Sequence, residues 1–317
     1  MKSTIKSPSG IFIIIGFESI DVTQESVNSL EEYIPKGYDI LLFDNGSGIP
    51  LESRIKTSRA KVTRSQKNLG FAKGSNWIVS RNYQNYDFLC LLNNDVFVNQ
   101  SFKSYLDSEI SEFFSNSRQA LFTPILYKDD KLKIIENMGM QYFRSGLAKQ
   151  NRITNKNAVF MNGACLFIKS EIIRQCLRLD GYLFNPFFEF NAEDLELSLR
   201  LISRGYSLRV SEKLTGQHLQ SQSLKNISNK SLMLYWRNLK LIFWGTRLNK
   251  DLISDLPYFL FGEVLIFGLS IYRGKAIVYF KAWIAFFNSL DIIIEMRDSY
   301  KKLDTSIFRK MLINKIY

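Results

Sequence analysis

Two acidic stretches carry the side chains best suited to chemistry. The first is Leu91-Leu92-Asn93-Asn94-Asp95-Val96-Phe97-Val98. The run Asp87 to Leu92 ahead of it is short and apolar toward both faces, the pattern of a buried parallel strand. A carboxylate at the carboxyl end of such a strand sits where open α/β sheets bind their ligands, and Asp95 is a hard oxygen ligand for Mg²⁺ or Mn²⁺. The chemistry implied is a metal held against a phosphorylated ligand. The plainer alternative is a polar turn leaving a strand.

The second stretch runs from Asn185-Pro186-Phe187-Phe188 through Glu193-Asp194-Leu195-Glu196. Leu195, Leu199 and Ile202 recur at helical spacing and Gly205 closes the helix, so Glu193 and Asp194 fall in its first turn. Acids there often serve only as partners of the helix dipole, an effect of about 0.3 to 1 kcal/mol. The aromatic cluster Phe187, Phe188 and Phe190 just upstream argues for more, because a carboxylate beside an aromatic wall suits a general base. His218, the only histidine, stays open between a packed residue, a metal ligand and a diphosphate contact.

The elements that would position these groups alternate. Ile11 to Ile15 is a β-branched strand, followed by a helix capped at Asp21 with Val27, Leu30 and Ile34 on its buried stripe. Ile40 to Phe43 is a second strand ending in Asp44-Asn45-Gly46-Ser47, which serves either a βαβ unit or a tight hairpin. The apolar spacing that follows, with Leu51 to Ile55 helical, favours βαβ. A short strand at Lys61 to Arg64 leads into Asn68-Leu69-Gly70-Phe71-Ala72-Lys73-Gly74-Ser75-Asn76 and a helix. Glycines at such a junction let backbone N–H groups approach a phosphate, although the spacing is neither a P-loop nor a dinucleotide fingerprint. A helix from Phe102 to Phe114 and a strand from Ala120 to Leu126 come next, then a mixed segment, Ile134 to Arg152, read as a hairpin beside the site. Asn157 to Lys169 is a strand kinked at Gly163, where a ligand or another backbone can approach. A helix from Ser170 and a strand at Leu208 to Val210 complete a mostly parallel α/β sheet covered on both faces.

Composition narrows the classes. The chain has 317 residues, 46% of them hydrophobic, enough for a sizeable core and against disorder. Its net charge of +12 is unevenly spread: residues 221–317 hold 15 basic and 7 acidic side chains, the first 220 hold 27 and 23. A basic tail points to an anionic partner. Cys90, Cys165 and Cys176 show neither pairing nor metal-ligand spacing, which suits a reducing compartment. Ile11 to Ile15 is too short for a signal segment, so the protein is expected not to be exported.

Taken in order across residues 11–245, these stretches resemble the glycosyltransferase family 2 enzymes, particularly the rhamnosyltransferase-like branch that builds bacterial surface polysaccharides such as O-antigen or capsule. The resemblance rests on the first strand, Asp44-Asn45-Gly46-Ser47, Asn68-Leu69-Gly70-Phe71 with Asn76, and Leu92-Asn93-Asn94-Asp95-Val96. It continues through Asn162-Gly163-Ala164, the block Phe187-Phe188 to Arg200, Gly205-Tyr206, His218 and Arg237-Asn238. It implies a GT-A fold, a nucleotide-diphosphate sugar donor, Mg²⁺ or Mn²⁺, and inversion at the anomeric carbon. On that reading Asp44 contacts the nucleoside, with Asn45, Asn68, Gly70, Asn76, Asn93, Asn94 and Gly163 also on the nucleotide sugar. Asp95 is the metal carboxylate, with His218 as a further ligand, and Asp194 is the base, with Glu193 as its substitute. The chain departs from the pattern at Gly16-Phe17-Glu18 and at Gly48-Ile49, and Glu196 stands where a second Asp is common.

Residues 1–220 are therefore expected to form the catalytic domain and residues 221–317 a helical, basic, aromatic extension. Leu256 to Tyr272 and Ala276 to Leu290 are apolar runs bordered or interrupted by Arg273, Lys275 and Lys281, too short and too charged for convincing spans. They suit helices in the headgroup region that bring the enzyme to a polyprenyl-linked acceptor on the inner face of the cell membrane; core packing or a dimer interface is the alternative. Two other functions stay open: a sugar-phosphate nucleotidylyltransferase, against which Gly16 stands alone after the first strand, and a basic nucleic-acid-binding protein, against which the basic excess is tied to apolar helices.

Overall fold

The structure, a computed structural model, describes residues 7–129, 131–152, 160–189, 191–219 and 228–313. Strand β1 (Gly10–Gly16) is buried along its whole length and begins the sheet. Helix α1 (Ile20–Tyr33) lays Val27 and Leu30 on it and returns the chain to β2 (Asp39–Asp44), parallel to β1. The βαβ reading of Asp44-Asn45-Gly46-Ser47 thus holds over the hairpin. The expected helix at Leu51 to Ile55 is only a 3₁₀ turn at Leu51–Ser53. Strand β3 (Lys61–Arg64) forms the sheet edge beside β2, and α2 (Gly70–Asn82) leads to β4 (Phe88–Asn93) on the other side of β1.

Asn94 and Asp95 make the turn from β4 into the short β5 (Val96–Val98), and α3 (Gln100–Ser115) follows. Strand β6 (Gln119–Tyr127) carries the antiparallel β7 (Ile135–Asn137) on one flank. A separate two-stranded hairpin, β8 (Met140–Tyr142) and β9 (Ala148–Gln150), matches the hairpin expected from the mixed segment. Strand β10 (Cys165–Lys169) enters antiparallel between β4 and β6, shorter than expected because Met161 to Ala164 run outside the ladder; residues 157–159 lie outside the described set. Helix α4 (Ser170–Asp180) and α5 (Glu193–Ser203) then precede β11 (Ser207–His218), which is much longer than Leu208 to Val210 and carries His218 as its last residue. The order β3-β2-β1-β4-β10-β6-β11-β5 is parallel from β3 to β4 and mixed beyond it.

Two apolar layers sandwich the sheet, one around Phe12, Phe88 and Phe102, the other around Ile13, Leu91 and Leu197. After β11 come α6 (Asn229–Thr246), α7 (Asn249–Tyr272), α8 (Ala276–Phe287), α9 (Leu290–Tyr300) and the single turn α10 (Ser306–Arg309). They share a third core with α5 and the β8–β9 hairpin, in which Tyr142, Leu195, Leu199, Leu239, Phe286 and Tyr300 meet.

Candidate active site

A cavity of about 730 Å³ opens at the carboxyl end of β4, within the size range of small-molecule sites. Asn93, Asp95, Gly163, Glu193, Asp194 and His218 all line it. Asp95 and Asp194, 99 positions apart in the chain, therefore share one space. The β8–β9 hairpin, through Gln141 and Lys149, and α6, through Ser231, Leu232 and Tyr235, complete the wall.

Asp95 is buried, and its Oδ1 lies 3.2 Å from His218 Nε2. The other ring nitrogen of His218, Nδ1, lies 3.2 Å from Glu136 on β7, a carboxylate with no exposed surface. Burial alone would lower the imidazole pKa, but the hydrogen bonds that the ring donates to Asp95 and Glu136, and the charges of those carboxylates, outweigh it and raise the pKa to about 9. Among the described residues no cluster of three or more His, Cys, Asp or Glu side chains could hold a metal ion. Asp95 and His218 still fit a divalent cation that draws its other ligands from a diphosphate and water, as Mg²⁺ commonly does. A cation takes the imidazole in its neutral form, so metal and proton would compete there.

Asp194 is held on the other side of that requirement. Its Oδ2 accepts the Gly163 amide at 2.8 Å and its Oδ1 accepts the Leu195 amide at 2.8 Å. A Cβ added at Gly163 would sit in ordinary contact with the Phe71 ring, at 3.4 Å, and with that Oδ2, at 3.5 Å, so the kink lies directly beside this carboxylate. Burial raises the Asp194 pKa, while the backbone amides favour its anion and oppose the rise. Neighbouring Glu193 is more deeply buried, its Oε2 lacks a hydrogen-bond partner, and burial together with the Asp194 charge pushes its pKa well above the carboxylate range. The pair divides: burial and the neighbouring charge favour the protonated form of Glu193, while two backbone amides favour the anion of Asp194.

The loop that presents them is strained. Asn191 and Ala192 both have positive φ, 58° and 74°, which for residues other than glycine costs about 1 to 2 kcal/mol each. Helix α6 restrains it: Asn238 donates to the Asn191 carbonyl at 2.7 Å and Arg237 to the Phe187 carbonyl at 3.1 Å. Phe188 is fully buried in the third core and Phe187 stacks under Arg237, while Phe190 lies outside the described residues. Phe187 and Phe188 are therefore supports of the loop rather than walls of the cavity.

Several expected donor-binding residues are engaged elsewhere. Asp44 is fully buried; its carboxylate accepts the Ser47 and Leu51 amides at 2.9 and 3.0 Å and faces Arg64, so it builds the loop after β2 and does not line the cavity. Asn45 bridges to the Leu69 amide and the Gly70 carbonyl, and Asn68 accepts the Gly70 amide. Gly70 has φ +73°, a conformation that favours glycine. Asn76 accepts the Leu183 and Phe184 amides and donates to the Phe184 carbonyl, tying α2 to the chain before α5. Asn94 turns toward α1, donating to Thr23 at 2.8 Å. Glu196 is paired with the buried Arg200 at 2.9 Å. Glu136 was not singled out by the sequence; it stands in a mixed segment 82 positions before His218, with no local motif to mark it.

No protein-family model and no curated protein matches the chain. Solved structures do. The mannosyltransferase PcManGT from Pyrobaculum calidifontis, in complex with GDP-Man and Mn²⁺, is similar over 89% of this chain and 88% of its own, at 10% identity and a TM-score of 0.53. S. aureus TarS 1-349 in complex with UDP-GlcNAc is similar over 97% of this chain and 93% of its own, at 13% identity and a TM-score of 0.55. At these identities the likeness establishes the fold: the chain has the mixed α/β GT-A architecture of those glycosyltransferases.

Proposed function

We propose that this protein is an inverting, metal-dependent glycosyltransferase that moves a sugar, rhamnose or a similar hexose, from a nucleotide-diphosphate donor to a hydroxyl of a polyprenyl-linked surface polysaccharide. The observation that carries the reading is that Asp95 with His218, and Asp194 with its two amide donors, line one cavity of a size suited to an activated sugar. The GT-A architecture supports it, and so do the nucleotide sugars and Mn²⁺ held by proteins of that architecture.

In this reading Asp95 and His218 hold Mg²⁺ or Mn²⁺, which when bound neutralises the charge of the departing diphosphate. Asn93 and Gly163 line the donor's space. Asp194 accepts the proton of the attacking acceptor hydroxyl, its carboxylate aimed by the Gly163 and Leu195 amides. Glu193, whose pKa burial and the Asp194 charge push upward, leaves that task to its neighbour. Asp44, Asn45, Asn68, Gly70, Asn76 and Asn94 hold the surrounding loops, so the nucleoside contact expected of Asp44 passes to other groups. Residues 1–220 supply the catalytic side chains, α6 completes the wall of their cavity, and the helices after α6 seat the enzyme at the inner face of the cell membrane, where a lipid-linked acceptor waits.

The test is Asp194→Asn. It should leave donor-nucleotide binding intact and slow transfer by about 10²- to 10⁴-fold, the usual contribution of a positioned base. Near-normal turnover would remove the assignment. Calorimetric titration with dTDP-, UDP- and GDP-sugars, with Mg²⁺ or Mn²⁺, selects the donor.

A further inference from the structure

Helix α7, 24 residues long, is long and apolar enough to cross a membrane, with a mean hydropathy of 1.6 over its most apolar 18-residue window. Yet one stripe of it is fastened to the body of the protein at turn after turn. Near its start, buried Asp255 pairs with Arg144 at 2.7 Å and with Arg247 at 3.0 Å. Phe259 stacks on Phe243 of α6 with ring centroids 4.3 Å apart, and Gly262 lies against Ser145 of the β8–β9 hairpin. Glu263 pairs with buried Lys240 at 2.9 Å and accepts from Tyr279 of α8. A helix anchored this way lies along the protein surface, and it cannot pass through a bilayer without taking α6 and the hairpin with it.

The opposite stripe is apolar and bare. Leu260 is 56% exposed and Val264 66%; on the neighbouring α8, Phe280 is 54%, Ile284 60% and Phe287 58% exposed. On α8 these alternate with the buried Val278, Tyr279, Ala282 and Phe286 at helical spacing, so each helix buries one side and leaves the other apolar side outward. Large apolar side chains left exposed on two packed helices mark an interaction surface. Exposed Arg273 at the turn between the helices and exposed Lys281 on α8 border it with positive charge, in the more basic part of the chain.

We infer that the α7–α8 hairpin is a membrane-docking surface that lies flat in the headgroup region of an anionic bilayer, with Arg273 and Lys281 on lipid phosphates and the apolar stripe sunk about 5 to 10 Å. The placement relative to the site follows from packing. Helix α6 lines the cavity with Ser231, Leu232 and Tyr235 on one side and packs against α8 on the other, through Trp236 on Tyr279 and Lys240 over Trp283. The membrane face is thus one helix layer from the cavity. That an acceptor tethered to the bilayer reaches the cavity across this layer rests on the proposed function; the docking itself does not.

The test is flotation of the full chain with vesicles of phosphatidylglycerol and phosphatidylethanolamine and with vesicles of phosphatidylcholine alone. Binding is expected to the anionic vesicles, weakening as salt is raised. Val264→Glu with Ile284→Glu, both at exposed positions, should lower vesicle affinity at least tenfold with an unchanged melting temperature, and Arg273→Glu with Lys281→Glu should remove the preference for anionic lipid. Three results would overturn the inference: no vesicle binding by the parent protein, retention in the membrane after alkaline carbonate extraction, or a dimer in solution that the Val264→Glu, Ile284→Glu variant dissociates while vesicle binding is absent. Hydrolysis of a nucleotide sugar by the same samples without lipid separates the outcomes, since its loss in the parent protein strikes at the transferase reading and leaves the docking result standing.

Discussion

Two groups of polar motif residues sit at the carboxyl ends of the first strands, and they are used in opposite ways. After β2, before α2 and within α2, Asp44, Asn45, Asn68 and Asn76 spend their hydrogen-bonding capacity on backbone amides and carbonyls of neighbouring loops. After β4, at the start of α5 and at the end of β11, Asp95, Asp194 and His218 line a cavity. Similar residue types thus serve scaffold in one place and chemistry in the other. What separates them is whether folding satisfies the side chain or leaves part of it facing open space.

The sharpest test of that division is at Asp194. Beyond the loss of transfer in Asp194→Asn, its pH profile should show the difference. Burial raises the native pKa of Asp194, so the base is lost to protonation at a higher pH than a free aspartate near 3.9 would be. Transfer is expected to fall with decreasing pH along a limb above that value, and an acid limb at or below it would break the assignment.

Glu136→Gln is expected to have the next largest effect. It keeps the size of the side chain but weakens the grip on His218 Nδ1, and partners that orient a metal-binding imidazole typically contribute about 10- to 100-fold in metal affinity. Mn²⁺ binding followed by electron paramagnetic resonance should weaken by that factor with little change in melting temperature. A melting shift with unchanged Mn²⁺ affinity would move Glu136 into the scaffold group.

Asp44→Ala should behave in the reverse way. It strands the buried Ser47 and Leu51 amides, each worth about 1 to 3 kcal/mol when left unsatisfied, so thermal stability should drop. Calorimetry on the folded fraction should find donor affinity close to that of the parent; a large loss of affinity at unchanged stability would return Asp44 to the nucleoside. The smallest effect is expected at Ala192→Gly, which relieves a φ of +74°. It should stabilise by about 1 kcal/mol or less, the relief of the left-handed conformation being partly offset by glycine's greater unfolded-state entropy. A loss of turnover alongside it would show that the strain holds Asp194 in place.

Much of the fold was legible because its elements announce themselves locally. The apolar runs of β1, β2 and β4 and the periodic stripe of α1 were read nearly to their ends. The rest of the sheet was harder: β10 enters antiparallel between β4 and β6, a placement decided by partners more than 40 positions away. The length of β11 was hidden for the same reason, since its polar residues, such as Arg209 and Lys213, face Glu109 and Glu112 on α3 rather than marking a loop. Of the residues singled out by motif, Asn93, Asp95, Gly163, Glu193, Asp194 and His218 line the cavity and Asp44, Asn45, Asn68, Gly70, Asn76 and Asn94 do not. Glu136 and the α6 wall were not singled out, because nothing in their neighbours distinguishes a cavity-lining position from any other.

The sequence by itself determined which side chains can do chemistry and the alternation of strands and helices that carries them, because side-chain type and hydrophobic period are local properties. Only the tertiary structure decided which of those side chains face a shared space. That outcome depends on hydrogen-bond partners supplied by distant loops, and it made Asp44 a support, Asp194 a carboxylate held by two backbone amides and Glu193 a buried carboxyl with an unpartnered oxygen, although all three stand beside the end of an element.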